Sequence, residues 1–145
     1  MFFLGQYQHS LDQKGRLTIP AKFRDLLAEG AYITQGFDRN LRLITGSAFE
    51  ALVEKISHLS MTDEATRQLR RLIFANASQV DLDRIGRVLI PQFLRDFAKL
   101  ESEAVIVGVG EAIEIWSPDN WQLQLDELQN AELNAGRFAA FDLSL

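Results

Sequence analysis

The sequence predicts an α+β fold in which two matching halves pack about a pseudo-twofold axis. The halves share strands in a small β-barrel with helices around it. Three observations lead there. A twelve-residue phrase occurs twice, HSLDQKGRLTIP from His9 to Pro20 and VDLDRIGRVLIP from Val80 to Pro91, displaced by 71 positions. Across residues 9–27 and 80–98, eight of nineteen aligned positions are identical: Leu11/Leu82, Asp12/Asp83, Gly15/Gly86, Arg16/Arg87, Ile19/Ile90, Pro20/Pro91, Arg24/Arg95 and Asp25/Asp96. Downstream of each phrase, a similar succession of apolar runs and helix starts occurs in both halves. Neither half is long enough to bury a good core alone. A barrel built from both removes exposed sheet edges.

Each unit starts with a strand, a tight turn and a second strand. A short helix comes next, and proline marks its start: Pro20 and Pro91 suit the first helical position, where a missing N–H costs little. Gly30 supplies a stop for the first of these helices. AYITQ (31–35) and AVIVGV (104–109) are β-branched runs, and LRLI (41–44) and IEIW (113–116) alternate at the strand period of two. Ser47-Ala-Phe-Glu50 fits a capping box for the helix after them, with Asp119-Asn-Trp-Gln122 as its weaker analogue. Between the units, Thr62 to Ala77 reads as a helix belonging to the first half. Ala65, Leu69, Leu72 and Ile73 line one face there, and Arg67, Arg70 and Arg71 lie off that stripe. The predicted units are therefore 1–78, carrying the added helix 62–77, and 79–145. The tail 131–145 has a glycine break and apolar ends and is ambiguous.

Composition narrows the function. The 145 residues are 47% hydrophobic and 24% charged, a globular balance. Cysteine is absent, which removes disulfides and thiolate metal sites and fits a reducing compartment. The N-terminus MFFLGQYQHSLD lacks a basic region, and no apolar run approaches the ~18 residues of a membrane span. A cytoplasmic protein with no membrane partner is expected. The net charge of −5 is uneven. Residues 1–98 carry 13 basic against 11 acidic side chains, a net of +2, and the acidity sits in the C-terminal third. Local field decides where an anion docks, so a basic face remains available.

The repeated turn holds the candidate site. Asp12-Gln13-Lys14-Gly15 and Asp83-Arg84-Ile85-Gly86 each place Asp first and Gly fourth. That is the pattern of a type I turn followed by a left-handed residue. Asp12 and Asp83 cap the turn through backbone N–H groups, and Gly15 and Gly86 take positive φ without penalty. These four have a sufficient structural reason. The arginines do not, because a tight turn needs none after its glycine. One reading is a cross-turn ion pair, Asp12–Arg16 and Asp83–Arg87; an exposed pair of that sort adds little stability. The other is a rigid hairpin tip that carries guanidinium forks to phosphate or to a guanine edge, in a groove that admits a two-stranded ribbon. Both readings stand together if the aspartate orients the arginine. Loop one offers Lys14 and Arg16, and loop two offers Arg84 and Arg87.

LDQKGRLTIP and LDRIGRVLIP, duplicated at this spacing, resemble the MraZ family, and each matches its Asp-x-x-x-Arg signature. The resemblance covers nearly the whole chain, including the arginine-bearing helix RQLRRLIFANAS. It implies two SpoVT/AbrB-like domains of the swapped-hairpin β-barrel type. It further implies a ring-shaped homo-oligomer that binds double-stranded DNA. The site would be short direct repeats in the promoter ahead of its own gene, at the start of the division and cell-wall gene cluster. A repressor associated with the nucleoid is the expectation. The DNA-contacting arginine falls on Arg16, with Arg87 as its counterpart and Lys14, Arg24 and Arg84 as further basic candidates. Lys14 corresponds to Ile85, a departure that makes loop one the expected main contact.

Other classes fare worse. His9 and His58 are far apart, and no phosphate loop, HExxH or nucleophile motif is present. No enzyme activity, cofactor or metal is expected. The alternative is a ring-shaped protein-interaction scaffold that does not bind DNA. Its surface would be the acidic C-terminal third with Trp116, Trp121, Phe138 and Phe141, although the two tryptophans read more simply as core.

Overall fold

In a computed structural model, which describes residues 1–143, each repeated phrase becomes the start of a similar run of elements. The first unit comprises β1 (Phe3–Ser10), β2 (Arg16–Thr18), α1 (Ala21–Leu27), β3 (Ala31–Gln35), β4 (Leu41–Thr45) and α2 (Gly46–Ser57), and α3 (Glu64–Phe74) follows it. The second comprises β5 (Ser78–Val80), β6 (Arg87–Leu89), α4 (Gln92–Ala98), β7 (Glu103–Gly110), β8 (Ile113–Trp116) and α5 (Pro118–Leu128), followed by α6 (Ala131–Phe138). The last two residues of the ambiguous tail 131–145 lie outside the described residues.

The two units exchange strands. The main sheet is antiparallel in the order β1-β7-β8-β4-β3-β5, so β1 of the first unit pairs with β7 of the second, and β5 pairs with β3. β2 and β6 leave this sheet and pair with each other, Arg16 opposite Leu89 and Thr18 opposite Arg87, with Leu17 and Val88 between them. The pseudo-twofold axis runs through that central pair. It runs also through the β4–β8 ladder, where Arg42 faces Glu114 and the two side chains come within 3.9 Å.

One hydrophobic core serves both units. Leu17, Ile19, Val88 and Ile90 from the ribbon pack with Ile33, Leu41, Leu43, Ile106, Ile113 and Ile115 from the sheet. Strand alternation explains the selection: Ala104 and Ile106 face this core, while Val105 and Val107 turn to the opposite side of the sheet. There they meet Trp116 and Trp121, whose rings lie 5.5 Å apart. The Trp121 indole N–H donates to Gln6 Oε1 at 2.9 Å, which ties α5 to β1.

Four expectations are corrected. The strands do not close into a barrel: β1 and β5 end the six-stranded sheet, and the ribbon is a separate two-stranded sheet. The chain leaves the main ladder after Ser10 and Val80, and ribbon side chains cover the core from the other side. The proline residues stand one position earlier than expected, as N-caps with extended backbone (ψ 137° and 146°). The next helices are capped by Thr45 and Ser117, whose hydroxyls accept the N–H of Ala48 and Asn120, two residues ahead of the expected Ser47 and Asp119. Strand passes directly into helix there, and the last extended residue is the cap. In α3 Ile73 is buried and Leu69 and Leu72 are half-buried as expected, but Ala65 is exposed and Thr66 is buried in its place. The C-terminal end of this helix is anchored to β3, where Thr34 Oγ1 donates to Ile73 O and Asn76 Nδ2 donates to Leu72 O and Gln35 Oε1. No helix among the described residues is long and apolar enough to cross a membrane.

Candidate nucleic-acid interface

The two turns sit where the ribbon begins, and their hydrogen bonds match one for one. Asp12 N–H donates to Arg16 O at 3.0 Å and Gly15 N–H to Asp12 O at 3.0 Å; Asp83, Arg87 and Gly86 repeat this at 2.8 and 3.1 Å. Gly15 and Gly86 hold φ of 90° and 84°. Asp12 Oδ1 accepts the backbone N–H of Lys14 (3.0 Å) and Arg16 (2.9 Å), and Oδ2 accepts Arg16 Nε at 2.6 Å. Asp83 does the same for Ile85, Arg87 and the Arg87 Nε, at 3.1, 2.9 and 2.8 Å. These carboxyls are held below their ordinary range. The backbone N–H of the arginine is the main cause, partial desolvation opposes it, and the guanidinium adds to it.

The cross-turn ion pairs therefore form in both units, and they are one-sided. Within each turn, the aspartate engages the guanidinium of its arginine only at Nε. Among the described residues neither terminal nitrogen of Arg16 donates a hydrogen bond, and Arg87 Nη1 has only a loose 3.6 Å approach to Asp12 Oδ2. That leaves the planar end of the fork for an external acceptor. Arg16 is the more open of the two, its side chain 37% exposed against 24% for Arg87. Leu17 and Val88 point into the core, so strand alternation sends Arg16, Thr18, Arg87 and Leu89 to the opposite face of the ribbon.

The remaining candidates occupy two levels. Lys14 and Arg84 are exposed at the turn tips and take part in no ion pair among the described residues; Ile85 stands beside Arg84 with 62% of its surface free. Arg24 lies lower and half-buried, with its Nε donating to Ile19 O at 2.9 Å and its guanidinium packed against Gly86. Arg95 mirrors it, with Nε on Ile90 O at 3.0 Å and its guanidinium against Gly15. Sequence reasoning named Arg24 as a candidate and left Arg95 out. The signal was present, because the 71-residue displacement pairs the two as identities.

The family model described as "MraZ protein, putative antitoxin-like" matches twice, over residues 2–72 and 73–143. Curated relatives named "Transcriptional regulator MraZ" include one from Roseiflexus castenholzii, 50% identical over 138 residues that span 94% of this chain and 96% of the relative. Another, from Roseiflexus sp. strain RS-1, is 49% identical over the same shares. A third, from Herpetosiphon aurantiacus, is 48% identical over 124 residues, 86% of this chain and 87% of the relative. Two family matches in tandem and relatives at this identity, on a chain whose two units carry the same aspartate-held arginine, place the protein in the MraZ family.

Proposed function

We propose that this protein is a sequence-specific, DNA-binding transcriptional regulator that represses its own division and cell-wall gene cluster. It acts as a ring homo-oligomer on direct repeats in the promoter, and it works in the cytoplasm at the nucleoid. The observation that carries the reading is the paired turn, with two arginines held at Nε by aspartates, the terminal nitrogens of Arg16 unclaimed among the described residues and those of Arg87 engaged only by the loose approach to Asp12. An arginine pre-oriented in this way loses little rotamer freedom on meeting phosphate or the O6/N7 edge of guanine. Arg16 leads, Lys14 and Arg84 approach phosphates from the tips, and Arg87 contributes less because it is less open and leans toward Asp12. Arg24 belongs to the same basic cluster one layer deeper.

The ring supplies avidity. With the internal pseudo-twofold used up inside the protomer, copies join head to tail, and such contacts close into rings. Regularly spaced identical heads suit direct repeats and raise the effective concentration of each weak contact. A mobility shift with DNA from just upstream of the gene, at two salt concentrations, tests the DNA arm. Affinity should fall steeply with salt as counterions are released. Light scattering behind size exclusion tests the ring, and a monomer that still binds its promoter tightly removes it.

A second reading, a protein-interaction scaffold, is favoured by α6, which buries no residue and leaves Leu133 and Phe138 exposed. A ring that shifts no promoter DNA at either salt concentration selects this reading.

A further inference from the structure

Behind the two turns the strand exchange brings each unit's short helix under the other unit's turn. Gly15 O accepts the N–H of Ile90 at 2.8 Å, and Ile90 O accepts the Nε of Arg95 at 3.0 Å. The Arg95 guanidinium then returns to cover Gly15 so closely that a Cβ on that glycine would stand 2.7 Å from Cζ. The mirror set is complete. Gly86 O accepts Ile19 N–H at 2.9 Å, Ile19 O accepts Arg24 Nε at 2.9 Å, and the Arg24 guanidinium covers Gly86. Neither arginine forms an ion pair among the described residues, and both are half-buried.

We propose that Arg95 and Arg24 are positioning residues that act crosswise: Arg95 of the second unit fixes the first recognition turn, and Arg24 of the first unit fixes the second. The proposal rests on the reading of the turns as DNA-contacting tips. It assigns to these two arginines support of the tips in place of phosphate contact. Guanidinium suits the task because its flat face fits against a glycine with no side chain while Nε stays bonded to a carbonyl. Lysine has no such plane. A contact group must be held within about half an ångström to work well, and the turns are three-residue links that need a backstop. The crossing also joins the tips into one two-pronged block, because displacing either turn strains a helix of the opposite unit.

The test uses the full-length protein with Arg95→Met and Arg24→Met, which keep the aliphatic stem and remove the guanidinium. Unchanged near-ultraviolet circular dichroism from Trp116 and Trp121 reports an intact fold. Hydrogen–deuterium exchange read by mass spectrometry should quicken in the peptide spanning residues 11–17 for Arg95→Met and in 82–88 for Arg24→Met. Faster exchange in the same-unit turn, in both turns alike or in neither overturns the proposal. In promoter binding the Arg95→Met variant should lose about tenfold in affinity, as for a misaimed but complete contact set. Its slope of log K against log salt should stay unchanged. A slope reduced by about 1 marks a lost phosphate contact and overturns it. Arg95→Lys, which keeps the charge, should exchange and bind like Arg95→Met, and wild-type affinity in that variant assigns the residue to phosphate instead. Should the Met variants fail to fold, the Lys variants carry the exchange measurement. The exchange arm needs no DNA, so it decides the crosswise support even if the wild-type protein binds none.

Discussion

Replacing Gly15 with alanine separates two reasons for having glycine at the turn. The first is backbone strain, since φ is 90° there. An L-residue forced to positive φ costs about 1–2 kcal/mol. The second is contact. The new Cβ would lie 2.7 Å from Arg95 Cζ and Nε and 2.8 Å from Ile90 O. Relief requires Arg95 to move off and surrender its bond to Ile90 O, a charged hydrogen bond of about 1.5–3 kcal/mol. Together the two terms come to roughly 2.5–5 kcal/mol. Gly30 provides the control. Its φ is 114°, yet a Cβ there meets nothing within 4 Å, so Gly30→Ala carries strain alone. Urea unfolding followed by tryptophan fluorescence suits both variants, since Trp116 and Trp121 are buried. Wild type and variants should be compared at one protein concentration, because assembly couples to stability. Gly15→Ala should exceed Gly30→Ala by about 1.5–3 kcal/mol. Equal losses within about 0.5 kcal/mol would refute the close-approach argument.

Three further outcomes are expected. Arg16→Ala should abolish promoter binding in a mobility shift while light scattering reports an unchanged oligomer, with Arg87→Ala losing less; an unfolded or dissociated Arg16→Ala protein makes that residue mainly structural. The Asp12 and Asp83 carboxyls sit below their ordinary value of 3.8, so they contribute stability above that pH and lose it as pH falls through the depressed folded value. An Asp12→Asn/Asp83→Asn double variant should therefore show a flatter melting temperature against pH below about 4, and a parallel acid slope would contradict the capping geometry. Leu17→Ala removes a fully buried side chain at the centre of the ribbon and should cost about 2–5 kcal/mol in denaturant unfolding.

Local chemistry was the legible part of the sequence. The displaced phrase marks two like units, and Asp-x-x-Gly dictates a turn whose bonds need no distant partner. The alternation in LRLI and IEIW names the residues that face the shared core. Long-range geometry was not legible. Nothing within residues 9–20 says that β2 leaves β1's sheet to pair with β6, so the predicted barrel does not close. The crosswise reach of Arg24 and Arg95 depends on that exchange, because each guanidinium covers the glycine of the other unit's turn. Helix starts erred for a simpler reason. Ser47 and Asp119 are good caps, but Thr45 and Ser117 already hold extended backbone at the strand ends and begin the helices first. The inner face of α3 was legible at Leu69, Leu72 and Ile73 but not at its start, where Thr66 is buried instead of Ala65, and the bond from Thr34 to the Ile73 carbonyl leaves no trace in side-chain periodicity.

The Arg42–Glu114 pair on the β4–β8 ladder carries a consequence for the covalent joining of the halves. At a true twofold, a residue on the axis must meet an identical copy of itself, so a charge there would face its own sign. Two separate copies of one half-chain have no escape from that constraint. A single gene encoding both halves is free to write a cation on one side and an anion on the other, turning an obligatory repulsion into attraction at the seam.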